Sequence, residues 1–92
     1  VELHQAVAKD YDKLHEAMGK AGFSRVIESG DGKRYHLPTA EYRIESNDTL
    51  EEVHDAAQAA ANSTGKANSV VCCQYVSARW AGLAQVPAKR QA

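Results

Sequence analysis

The four histidines, His4, His15, His36 and His54, are the side chains of this sequence best suited to proton transfer. Imidazole titrates near neutral pH, so it could drive metal-free RNA cleavage by shuttling the proton of a 2′-hydroxyl. Sequence context separates the four. His15 and His54 fall in helical patterns, and His54 neighbours Glu51 and Asp55, the setting of a partly exposed polar residue. His4 sits on the polar phase of the first extended run. His36 lies within Arg34-Tyr35-His36-Leu37-Pro38-Thr39, where two ring side chains and a guanidinium precede a proline-fixed bend. Such a cluster can stack a base and hold a phosphate, although the arm of an ordinary exposed hairpin would look the same. Arg25, Lys33 and Arg34 add a local basic patch. His15 and His36 are therefore the candidate catalytic residues, and Arg25, Lys33, Arg34 and Tyr35 the candidate nucleic-acid contacts.

Other chemistry finds less support. Asp10 and Asp12 could serve a Mg²⁺-dependent nuclease, but residues two apart on a helix do not share a face. One protomer would offer a single carboxylate, and a helix-capping role for Asp10 is simpler. Glu41, Arg43 and Glu45 alternate as an exposed sheet face would. Cys72 and Cys73 are adjacent, so on a strand they point to opposite faces and cannot bridge each other. They read as two small buried apolar residues in a reducing compartment. A phosphate-cradling glycine loop, zinc spacing, a nucleophile elbow and a Ca²⁺ loop are all absent. No metal and no cofactor are expected.

The elements that would position these residues follow from periodicity. Val1–Ala6 alternates from its first residue, which predicts a strand already under way, with residues missing upstream. Tyr11, Leu14, Met18 and Ala21 mark one apolar helix face, with Asp10 as N-cap and Gly22 as the left-handed stop. Phe23–Ser29 and Lys33–Leu37 read as the arms of a hairpin around Asp31-Gly32. Ala40–Ser46 alternates as a further strand, with Ala40, Tyr42 and Ile44 inward. Asp48 with Glu51 predicts a second helix start, with Leu50, Val53, Ala57 and Ala60 on its buried face. Val70–Val76, apolar on both phases, predicts a central strand, and Trp80 beyond it could cover an open core edge. The order is β-α-β-β-α-β. It predicts an α+β, ferredoxin-like domain over residues 1–85, a four-stranded antiparallel sheet with two helices on one face, and a flexible tail over 86–92.

Composition sets outer limits. Ninety-two residues suffice for one domain, and 43% hydrophobic with 25% charged residues is ordinary for a globular chain. Eleven Lys+Arg against twelve Asp+Glu give a net charge of −1, unlike a generic duplex-DNA binder. The acids gather in the second helix and the bases on the hairpin, so the neutral total hides a local polarity that RNA could use. No membrane span and no secretion signal are visible, and a cytoplasmic location is expected.

Phe23-Ser24-Arg25 after the first helix, then the hairpin, then Leu37-Pro38-Thr39-Ala40-Glu41-Tyr42, resembles the GhoS-type antitoxin family. Those are small ferredoxin-like endoribonucleases of type V toxin–antitoxin systems, similar in fold to a family of small CRISPR-associated proteins. The resemblance runs from about Val1 to Val76 and implies an enzyme that cleaves the messenger of a membrane-damaging toxin. On the first helix this chain carries His15 where the family pattern has a basic residue. Its first strand ends Gln5-Ala6-Val7-Ala8, where the CRISPR-associated relatives place an aspartate. Two functions follow as expectations. One is an endoribonuclease acting on single-stranded RNA. The other is a non-catalytic interaction module, a phage- or mobile-element-borne regulator that binds a protein partner. A homodimer through an exposed sheet edge or face is open to either.

Overall fold

The computed structural model describes residues 1–87. They form β1 (Glu2–Leu3), α1 (Ala8–Lys20), β2 (Val26–Glu28), β3 (Arg34–His36), α2 (Leu50–Asn62) and β4 (Asn68–Ser69). β1 pairs antiparallel with β4, setting Glu2 opposite Ser69 and Leu3 opposite Asn68. β2 pairs antiparallel with β3, setting Val26 opposite His36, Ile27 opposite Tyr35 and Glu28 opposite Arg34. The protein is thus a small α+β fold, and among the described residues its strands pair as two two-stranded sheets and are not joined into the expected single sheet of four.

α1 follows the predicted face, with Leu14 and Met18 fully buried. Its start differs from expectation. The N-cap is Val7, and Asp10 reaches back from the helix's first turn so that Oδ2 accepts the Val7 N–H at 2.9 Å. A carboxylate satisfies an orphan amide as well from there as from the cap, and Ala8 and Lys9 are good helix formers. Lys66 Nζ lies 3.8 Å from the same oxygen. The helix stops as predicted. Gly22 takes φ 95°, its N–H bonds Gly19 O, and the Phe23 N–H bonds Met18 O, both at 3.0 Å. That is the paired-bond pattern of a Schellman cap.

α2 begins one residue later than predicted. Thr49 Oγ1 accepts the Glu52 N–H and Glu52 Oε1 accepts the Thr49 N–H, both at 3.1 Å. The capping box favours Ser or Thr, so Thr49 with Glu52 wins over Asp48 with Glu51. Leu50, expected inside, is half exposed, because the buried face starts deeper in the helix at Ala57, Ala60 and Ala61. These alanines form one cluster with Leu3, Leu14, Met18 and Ala40, edged by Tyr11, Phe23, Tyr42 and Val70.

The hairpin forms around the predicted residues with a longer loop. Ser29 N–H bonds Lys33 O at 2.8 Å, leaving Gly30, Asp31 and Gly32 as the connection, and of these Gly32 alone takes positive φ, 83°. Beyond it the expected strands thin out. Ala40–Ser46 contributes a single bridge, Arg43 with Ser24, after Ala40 turns through φ 64° with its side chain in the core. Val1–Ala6 shrinks to β1 because Gln5 adopts φ 52° and breaks the extension.

Val70–Val76 is the largest departure. It has no ladder partner among the described residues, and Val71 and Val76 are 90% and 104% exposed. Apolar composition yields a strand only where a neighbouring edge accepts its hydrogen bonds, and none lies beside it. For the same reason Cys73 is exposed and Cys72 only partly covered, not buried as expected. The chain then returns to β3. Ala84 O accepts the His36 N–H and Arg34 O accepts the Val86 N–H, both at 2.9 Å. Val86, expected to open the tail, is held here, and residues 88–92 lie outside the described residues.

The chain exposes 6904 Å², against ~5,200 Å² for a globular chain of this size. Among the described residues no helix is long and apolar enough to cross a membrane. Leu14→Ala is expected to lose about 3 kcal/mol in urea unfolding, whereas Val76→Ala stays within about 0.5 kcal/mol. Similar losses for the two would place residue 76 in the core and contradict this arrangement.

Candidate functional site

His15 follows Leu14 on α1 and so sits at the rim of the buried stripe. The segment after Ala40 lays Tyr42 across it. The Tyr42 hydroxyl and His15 Nδ1 are 2.5 Å apart, and the rings meet at 5.8 Å between centroids with a 55° tilt. Arg25, just before β2, is the neighbouring positive charge. Burial lowers the His15 pKa below its ordinary value, the Arg25 charge lowers it further, and Asp12 opposes both. Burial also pushes the Tyr42 hydroxyl up to about 12, with Arg25 pulling the other way and Tyr11 adding to the rise.

At neutral pH the imidazole is therefore uncharged and the phenol keeps its proton. Among the described residues the Tyr42 hydroxyl bonds no protein group besides His15, and when it donates to Nδ1 the imidazole proton sits on Nε2. In that tautomer the site offers a neutral N–H donor within the field of a permanent cation. That pair can bind a phosphodiester and stabilise charge that builds on its oxygens.

The other candidates lie apart. His36 is exposed on β3, opposite Val26, and no hydrogen bond or ring contact joins it to His15 among the described residues. Arg34 is exposed in register with Glu28. Side chains alternate along β3, so Arg34 and His36 share one face while Tyr35 points to the other. There Tyr35 meets Trp80, with ring centroids 5.6 Å apart. Lys33 stands at the turn, 3.9 Å from Asp31. The Asp31 carboxyl is held below its usual range by the Ser29 hydroxyl and the Lys33 N–H. The predicted hairpin cluster is thus divided between two faces, and the Arg25 charge acts on His15.

The remaining histidines are engaged elsewhere. His4 Nε2 meets Ser69 Oγ at 2.9 Å, and His54 Nδ1 lies 3.5 Å from Asp55. Asp10, committed to the α1 start, is unavailable to a metal pair with Asp12. Among the described residues no three His, Cys, Asp or Glu side chains are grouped to hold a metal ion.

A wide cleft of about 990 Å³ opens between residues 40–48, α2 and residues 70–76. Arg43 spans it. Its Nε donates to the Tyr75 hydroxyl at 3.3 Å and its Nη2 to Glu45 at 2.8 Å, which together hold the guanidinium pKa above its usual value.

Tyr42 was missed as a site residue because its phase marked it only as inward-facing. Its hydroxyl was the available signal, since a buried phenol needs a polar partner and His15 bordered the facing stripe. Fold and site together define a small α+β protein with a half-buried histidine–tyrosine pair beside an arginine. No family model, no curated protein and no solved structure matches the chain.

Removing the charge with Arg25→Gln is expected to raise the His15 pKa, read from imidazole proton shifts in an NMR titration. An unchanged value would remove Arg25 from the site. Because folding lowers the His15 pKa, the unfolded chain binds the proton more readily. The stability this group contributes is present above the ordinary value of 6.5 and is lost as pH falls through the lowered folded value.

Proposed function

We propose that this chain is an antitoxin-like endoribonuclease of the GhoS type, acting in the cytoplasm on single-stranded messenger RNA. The observation that carries the proposal is the His15 imidazole, bonded to Tyr42 and with its pKa lowered by burial and the Arg25 charge. Arg25 attracts the phosphodiester, and the His15 Nε2–H donates to a phosphoryl oxygen as negative charge develops there. The 2′-oxygen bonds to phosphorus and its proton passes to water. The bond to the 5′-oxygen breaks, and that oxygen takes a proton from water, leaving a 2′,3′-cyclic phosphate and a 5′-hydroxyl. Arg34 and His36, on the exposed face of β3, contact the strand beyond the cleaved bond. Lys33 adds charge at the hairpin tip.

The strand pairings are compatible with the ferredoxin-like sheet of that family. The β1–β4 and β2–β3 pairings are two of the three that such a sheet contains. The Val1 nitrogen bonds Ala40 O at 3.0 Å, bringing the β1 end of the chain to the segment that follows β3, where the third would form.

The reading as a non-catalytic module that binds a protein partner keeps one observation in its favour. Val71, Tyr75 and Val76 expose apolar surface beside the wide cleft, the kind of patch that marks a protein contact.

Cleavage of a single-stranded RNA, followed on a gel, separates the two. His15→Ala is expected to slow it by roughly 100-fold, the effect of losing one transition-state donor, and His36→Ala by less. The proposed chemistry uses imidazole and guanidinium, so cleavage persists in EDTA. Absence of cleavage by the folded wild-type protein would overturn the ribonuclease assignment.

A further inference from the structure

The face of the hairpin opposite Arg34 and His36 carries a second hollow, of about 320 Å³. Its walls are Ile27, Leu37 and Pro38 from the hairpin side and Trp80 from the returning segment, with Glu41 and Arg79 also lining it. The indole is anchored, because Tyr35 packs against it with ring centroids 5.6 Å apart. The returning segment is anchored as well, through the two backbone bonds that Ala84 and Val86 make to β3. This is an open hollow with apolar walls, with a volume at the small end of the small-molecule range.

Its two charged residues define the ligand. Among the described residues neither Glu41 nor Arg79 has a side-chain hydrogen bond or ion-pair partner, and they do not pair with each other across the hollow. An apolar slot with an aromatic wall takes a flat ring. A carboxylate is acceptor-only, so it selects a ring edge carrying adjacent donors. A guanidinium takes a phosphate.

Among the four nucleobases, guanine alone offers two neighbouring donors on its Watson–Crick edge, N1–H and the 2-amino group. Adenine and cytosine place a ring acceptor beside the amino group, which the carboxylate would repel. Uracil flanks its single N–H with two carbonyls. We propose that this hollow binds a guanosine 5′-phosphate unit, with the base against Trp80, its edge on Glu41 and its phosphate on Arg79. The proposal deepens the RNA assignment, and rests on it only for the source of the guanosine. The slot would set base preference at a distance from the His15 site.

Trp80 is the only tryptophan of the chain, so its fluorescence reports occupancy directly. Titration of the full chain with GMP, AMP, CMP and UMP is expected to shift that signal, with GMP binding about tenfold or more tightly than the others, as a charge-assisted pair of hydrogen bonds would give. Glu41→Gln should erase the preference while leaving unfolding by urea unchanged. Arg79→Gln should make GMP and guanosine bind alike.

A second arm compares an oligouridine carrying one guanosine with plain oligouridine. A preference for the guanosine-bearing strand identifies RNA as the source, and binding of GMP alone identifies the free nucleotide. Equal binding of all four nucleotides, no binding, or a preference that survives Glu41→Gln would overturn the pocket. RNA cleavage that continues without GMP binding overturns the pocket alone. GMP binding by a protein that cleaves no RNA keeps the pocket and overturns the ribonuclease assignment.

Discussion

Everything in this fold leans on two side chains, Leu14 and Met18, seated against an alanine face. Ala57, Ala60 and Ala61 bury little apolar surface themselves. Within this cluster most of the hydrophobic free energy therefore comes from Leu14, Met18 and Leu3, at roughly 2 kcal/mol each. The small residues let the two helices approach closely, and they leave no deep core for further strands to cover. Ala40 shows how tightly the centre is specified. It holds a left-handed backbone, φ 64°, that an L-residue adopts at a cost of roughly 1–2 kcal/mol, and its methyl completes the cluster. That turn also carries Tyr42 over His15. The site is thus a by-product of how the chain closes its core.

The hairpin is stabilised differently. Its apolar side is covered from outside, by Trp80 on Tyr35 and by the backbone bonds of residues 84–86 along β3. One edge of the sheet is thereby occupied, which blunts it against pairing with other chains. The polar side, with Arg34 and His36, stays open. A division between a covered aromatic face and an open basic face follows from strand alternation alone.

Both helices were legible in the sequence because their signals are local. The Leu14–Met18 spacing, the Gly22 stop and a capping box near residue 49 need no distant partner to act. Their starts slipped by a few residues where two caps competed, as with Asp48 against Thr49. The hairpin was legible from Asp31-Gly32, and the loop length was not, since Asp31 does not take positive φ. The sheet was the hard part. Val70–Val76 has a strand's composition, but pairing depends on a neighbouring edge that no local pattern reports. For the site, residue types pointed to His15 and Arg25 without showing that the Arg25 charge acts on His15. Proximity between residue 15 on a helix and residue 42 on a later segment is set by the Ala40 turn, and alternation there predicted a strand instead.

Two helices joined through Leu14, Met18 and the alanine face form the stable body, with residues 71–76 outside it. Amide hydrogen exchange measures this residue by residue. The slowest amides should be those of α1 and α2 around Leu14, Met18, Ala60 and Ala61, with those of Val71–Val76 exchanging at nearly the unprotected rate. Strong protection across Val71–Val76 would instead show a paired strand packed onto that body.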